Sequence, residues 1–93
     1  MIVVTKSVNK RIEKIIEYLK VEWGEKAVEN FIREYHSLKA VIEIFPHIGE
    51  ETPSKPGLRV ILITKHNALF YKVDKEIIYF LYIKDTRKKK YKR

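Results

Sequence analysis

The chain has no cysteine, one methionine, one tryptophan, three glycines and three prolines among its 93 residues. Without cysteine there is no disulfide, no thiolate nucleophile and no cysteine zinc site, and a reducing, cytoplasmic setting is expected. Long apolar runs are missing too. The opening Met1-Ile2-Val3-Val4-Thr5-Lys6 is far shorter than the hydrophobic region of a signal peptide, and no later segment approaches a membrane span, so no membrane partner is expected. No glycine-rich phosphate loop and no internal repeat occurs. His36, His47 and His66 show no HExxH or other ligand spacing, so neither a metal nor another cofactor is expected. Ser37 follows His36 directly, and adjacent helical side chains point in different directions, which argues against a nucleophile–base pair. Glu50-Glu51 precedes Thr52-Pro53 in a loop and reads as a solvated pair rather than a paired-carboxylate site.

Acid is scarce: 12 Asp and Glu face 20 Lys and Arg, a formal charge of +8. Residues 84–93 carry seven Lys or Arg against Asp85 alone, so +6 of that charge sits at the C-terminus. Such a block is compatible with nucleic acid, an acidic protein or a membrane surface, although a charge run at a terminus is most often a solvated tail. Hydrophobic residues at 45% and charged residues at 34% support one packed core in a chain too short for two. A single domain is expected over residues 1–87, followed by a basic tail, 88–93.

The expected class is α+β. Ile2 to Val4 is a β-branched run, and Thr5 or Ser7 can cap the helix that follows. Val8, Ile12, Ile15, Ile16, Leu19 and Trp23 recur at helical spacing, which predicts an amphipathic helix ending near Gly24 with Trp23 in the core stripe. Ala27, Val28, Phe31, Ile32, Tyr35, Leu38, Ile42 and Phe45 repeat the pattern up to Pro46, giving a helical hairpin. Residues 46–57 hold all three prolines and two of the three glycines and read as an irregular connection. Three apolar runs follow, Leu58 to Thr64, Ala68 to Val73 and Ile77 to Ile83. The predicted architecture is a short N-terminal strand and a helical hairpin packed on a three- to four-stranded antiparallel β-meander.

A hairpin turning within residues 65–67 would place Leu58, Val60 and Leu62 with Leu69, Tyr71 and Val73 on one face. Arg59, Ile61, Ile63, Phe70 and Lys72 would take the other. Two helices cover only one face, so Ile61, Ile63 and Phe70 are expected to form a partner surface, unless the first strand, the C-terminal segment or a dimer covers it. The remaining candidates are basic or aromatic: Arg59, Lys72, Arg87, Lys88, Lys89, Lys90, Tyr91 and Lys92. They favour contact with a polyanion. Without a metal, lysine or tyrosine could move a proton while arginine stabilises charge developing on phosphate.

Several segments, taken in order, resemble the RelE/ParE superfamily of plasmid-stabilisation toxins from type II toxin-antitoxin systems. They are Trp23-Gly24 with Ala27 and Phe31, Pro46-His47-Ile48-Gly49, Gly57-Leu58-Arg59, His66 to Val73, and Ile83-Lys84-Asp85-Thr86-Arg87. The resemblance implies a growth-inhibiting toxin wrapped by a cognate antitoxin, for which Ile61, Ile63 and Phe70 are the expected contacts, with a toxin–antitoxin heterotetramer among the implied assemblies. RelE-like members cleave mRNA on the ribosome, whereas ParE-like members act on DNA gyrase without being nucleases. Arg59 and Arg87 stand where RelE-like nucleases are basic, and Tyr91 stands near their C-terminal tyrosine, which makes these three the catalytic candidates. Lys72, Lys88, Lys89, Lys90 and Lys92 are the target-binding candidates. Ile61 and Ala68 replace two further basic residues, and the Trp-Gly step, the Pro-x-x-Gly turn and the His-to-Tyr strand are closer to the ParE branch. A gyrase-directed toxin is the favoured reading, a ribosome-dependent endoribonuclease the alternative, and a basic nucleic-acid-binding module or inactive toxin the third.

Overall fold

The structure, a computed structural model, describes residues 1–87. Its elements run β1 (Ile2–Val4), α1 (Lys6–Trp23), α2 (Glu25–Ile44), β2 (Glu50–Glu51), β3 (Arg59–Thr64), β4 (Asn67–Asp74) and β5 (Ile77–Asp85). The strands form one sheet in the order β1-β5-β4-β3-β2, with β1 parallel to β5 and the other neighbours antiparallel. The α+β class and the helix-on-meander arrangement hold, and the sheet is larger than the three or four strands expected. The extra strand is β2: two residues inside the proline-rich connection pair with Val60 and Arg59. Composition alone hides so short a strand.

Thr5 fixes the start of α1. Its hydroxyl oxygen accepts from the Val8 N–H at 3.4 Å and its O–H donates to the Leu81 carbonyl at 3.0 Å. Leu81 is available because the β4–β5 register shifts there: Phe70 pairs with Tyr82 but Tyr71 with Phe80, so Leu81 is the extra residue of a bulge. At the far end Gly24 takes φ 93° and its N–H donates to the Leu19 and Lys20 carbonyls. This one residue separates the two helices, in a conformation that side chains disfavour.

Both helices cover one face of the sheet. Val8, Phe31, Tyr35 and Ile42 meet Ile63, Leu69, Tyr71, Ile78, Phe80 and Ile83 in the core. Cross-strand partners share a face, so the register defines the core rows as Val4–Phe80–Tyr71–Arg59 and Ile83–Leu69–Ile61. The outer rows are Val3–Tyr79–Lys72, Tyr82–Phe70–Val60 and Lys84–Ala68–Leu62.

These rows correct the expected faces of β3. Thr64 pairs with Asn67, as a turn at 65–66 requires, but a bulge then shifts the register so that Leu62 faces Ala68 rather than Leu69. A one-residue slip exchanges the partners of every residue beyond it. Ile61 and Ile63 therefore lie on the helix side, Ile63 fully in the core and Ile61 packed against it. Phe70 lies on the outer face, stacked on Tyr82 at 4.8 Å between ring centres. The three do not form a common surface.

Candidate functional site

Pro46-His47-Ile48-Gly49 lies at one end of β3 and is held by two core-face side chains. The Tyr71 hydroxyl donates to the Pro46 carbonyl at 2.8 Å and accepts from the Gly49 N–H at 2.9 Å. Arg59 Nη1 donates to the carbonyls of Gly49 at 2.6 Å and His47 at 3.2 Å. Burial pushes the Tyr71 hydroxyl up in pKa, against the smaller opposing effects of the Gly49 hydrogen bond and the Arg59 charge. With both its hydrogen bonds used, Tyr71 is a tie rather than an acid. Glu51 accepts from the Gly57 N–H at 2.6 Å, and Glu50, one strand residue earlier, points to the opposite face, so the two carboxylates do not converge.

The opposite end of the sheet is different in character. α1 spans 18 residues, about 27 Å at roughly 1.5 Å per residue. It starts beside Phe80 and Leu81, so only the last five residues of β5 run beneath it, about 17 Å at roughly 3.3 Å each. The last turns of α1 overhang the sheet. Between that overhang, α2 and the β3–β4 turn lies a groove of about 1010 Å³. Ile15, Leu19, Ala27 and Phe31 form its apolar wall, and Tyr18 and Trp23, 52% and 72% exposed, stand at its edge. Trp23 fits the periodicity of the core stripe, but no strand extends far enough to cover it, which corrects its expected place in the core.

Cations rim this groove. Arg11, Lys14 and Tyr18 follow one another at i, i+3 and i+7 on α1 and face the end of β5, where Asp85 and Arg87 also line the groove. Arg87 forks onto Asp85, with Nε to Oδ1 at 3.0 Å and Nη2 to Oδ2 at 2.8 Å, and its backbone N–H adds 2.9 Å to Oδ1. Arg87 also lies against the Tyr18 hydroxyl. These bonds from Arg87, with a smaller contribution from the Arg11 charge, hold the Asp85 carboxyl far below the usual carboxylate range. The pair's contribution to stability is thus complete above the unfolded carboxyl value of about 4 and is lost only as pH falls through the lower folded value. In a carboxyl-carbon NMR titration, Asp85 should stay ionised well below the usual carboxylate range; a midpoint at about 4 would mean that the fork is absent in solution.

The sequence-derived candidates are scattered. Arg59 opens β3 and Arg87 follows β5, at opposite ends of the sheet and about 17 Å or more apart along the strand direction at roughly 3.3 Å per strand residue. Lys72 lies on the outer face with Nζ 5.6 Å from the centre of the Tyr79 ring, as Lys84 does over Tyr82 at 5.5 Å. Lys88, Lys89, Lys90, Tyr91 and Lys92 lie outside the described residues. Of the groove residues, Arg11, Lys14 and Tyr18 are not singled out from sequence, and Trp23 is read there as part of the core and of the Trp-Gly step. The usable signal was length: an apolar stripe running to residue 23 outlasts the strand it packs on. Among the described residues no three His, Asp or Glu side chains are grouped to hold a metal ion, and no helix is long and apolar enough to cross a membrane.

Comparison with known proteins bears on this geometry. The family model for the ParE toxin of the type II toxin-antitoxin system, parDE, matches residues 2–89. Among solved structures, a chain described as the chromosomal ParDE TA system from P. aeruginosa superposes with a TM-score of 0.74 at 14% identity, over 90% of this chain and 92% of that one. At that identity the likeness speaks for the fold. No curated protein matches.

Proposed function

The chain belongs to the ParE toxin family of type II toxin-antitoxin systems, and from that premise we propose that it arrests growth in the cytoplasm by binding DNA gyrase and is neutralised by a cognate antitoxin docked in the groove. The observation that carries the docking reading is Trp23, 72% exposed beside an apolar groove of about 1010 Å³. An exposed aromatic anchor next to a recess is the usual form of an interface hot spot. A heterotetramer is the expected assembly, readable by light scattering on the purified complex.

The ribonuclease alternative requires basic groups to converge on one phosphate. Arg59 and Arg87 lie at opposite ends of the sheet, and Arg59 is already committed to two carbonyls. That spacing favours a protein-directed poison. Induction of the chain alone should change plasmid supercoiling and raise the DNA-damage response while mRNA stays intact. Codon-phased mRNA breaks with normal topology would reverse the assignment.

Neutralisation is tested with the product of the neighbouring reading frame, which the proposal requires to bind and to rescue growth. Trp23→Glu should weaken that complex by at least about 2 kcal/mol, roughly 30-fold, and abolish rescue while growth arrest persists. Unchanged affinity would move the interface elsewhere.

A further inference from the structure

The two ends of the groove differ. Trp23, Ala27 and Phe31 form the apolar end. At the other end lie Arg11, Lys14 and Arg87, with Asp85 held by Arg87; over the whole groove four basic side chains, these three and Lys65, face two acidic ones, Asp85 and Glu34, a net of two positive charges. Asp85 gives both of its oxygens to Arg87. Lys14 is exposed and has no acidic side chain within ion-pair distance among the described residues. Arg11 is more telling. Its Nε is shielded from solvent and has no hydrogen-bond partner among the described residues. A guanidinium N–H without a partner in a water-poor position costs free energy that an incoming acceptor returns.

Resting on the docking reading above, we infer that the Arg11–Lys14–Arg87 end of the groove is a seat for a carboxylate, and that its occupant is an amphipathic protein segment carrying Asp or Glu at one end and apolar anchors at the other. The rim selects the charge: a basic segment would meet three cations, and a neutral one would leave the Arg11 N–H unmet. The apolar wall selects the remainder, because a small anion would leave Trp23, Ala27 and Phe31 bare. Arg87 is pre-set for this role, since the Asp85 fork fixes the plane of its guanidinium and lowers the ordering cost of a further contact.

Trp23 provides the readout, being the one tryptophan of the chain and lying in the groove. The probes are two synthetic helix-forming peptides of about 18 residues, five turns, free of Trp and Tyr. Both carry leucines at i, i+3 and i+7, followed one turn later by two Glu in one peptide and two Gln in the other. The Glu peptide should shift Trp23 emission to the blue and bind at least ten-fold more tightly than the Gln peptide. In the double variant Arg11→Gln, Lys14→Gln, the two peptides should bind alike, at the affinity of the Gln peptide for the unaltered protein. The inference fails if the unaltered protein binds both peptides equally, if the ten-fold preference survives the double variant, or if neither peptide moves the emission. Equal binding of both peptides, abolished by Trp23→Glu, would overturn the carboxylate seat and leave the docking groove standing. Rescue by the neighbouring gene's product, lost in Trp23→Glu, tests the groove separately.

Discussion

Gly49→Val is expected to remove most of the stability of this fold. A Cβ at Gly49 would lie 2.8 Å from Tyr71 Cε1, 2.8 Å from the Tyr71 hydroxyl and 3.1 Å from the Val60 carbonyl. Tyr71 cannot retreat, because it is fully buried with Phe80 at its edge. Overpacking of this kind costs about 1 to 3 kcal/mol, and displacing the hydroxyl strands the Gly49 N–H and the Pro46 carbonyl for roughly 1 to 3 more. A total of about 2 to 6 kcal/mol reaches the whole stability of the less stable small domains. Urea titration of Gly49→Val, Gly49→Ala and Tyr71→Phe measures it. The double variant Gly49→Ala, Tyr71→Phe should cost less than the sum of its parts, since removing the hydroxyl also removes one of the two closest contacts. Strict additivity would mean that the glycine and the tyrosine do not meet.

The second expected result separates the two arginines. Arg59→Ala should lower the melting temperature by about 8 to 20 °C, because two hydrogen bonds from a charged donor hold the loop, worth together about 2 to 3 kcal/mol, and each kcal/mol moves a domain of this size by about 4 to 8 °C. Any loss of growth arrest in this variant should be recovered at lower temperature. Arg59→Lys should regain less than half of the stability, since a single ammonium on a flexible stem reproduces the two-carbonyl geometry poorly. Arg87→Ala should lower the melting temperature by less than Arg59→Ala does, because the guanidinium side of its fork with Asp85 is exposed and screened by solvent. It should still arrest growth while its neutralising partner binds more weakly. Scanning calorimetry alongside growth curves at two temperatures decides the matter. If Arg87→Ala folds normally and no longer arrests growth, Arg87 contacts the target.

The physical signals in the sequence were uneven. Both helices follow from apolar spacing, and their ends from Thr5, Gly24 and Pro46, because those residues act through their own backbone and nearest neighbours. The rows of the sheet were harder. Ile63 carries nothing that marks it as a bulge, yet the bulge decides that Ile61 faces the helices and Leu62 does not. Arg59 was legible as unusual, an arginine inside an apolar strand, but its reason lies ten residues upstream, in carbonyls that only the folded loop presents. The groove was least legible, because it arises where one element outruns another, and no single residue records the difference between a helix and the strand beneath it.

The parallel pairing of β1 with β5 bears on how the protein is made. Residues 2 to 4 leave the ribosome well ahead of their partners, residues 78 to 80. Closing that contact costs the entropy of a loop covering most of the chain. The anchor of Thr5 on Leu81 waits on the same segment. Neither the sheet nor the seating of α1 can be completed before residues 78 to 81 have emerged. A toxin built this way cannot take its folded form before β5 has left the ribosome.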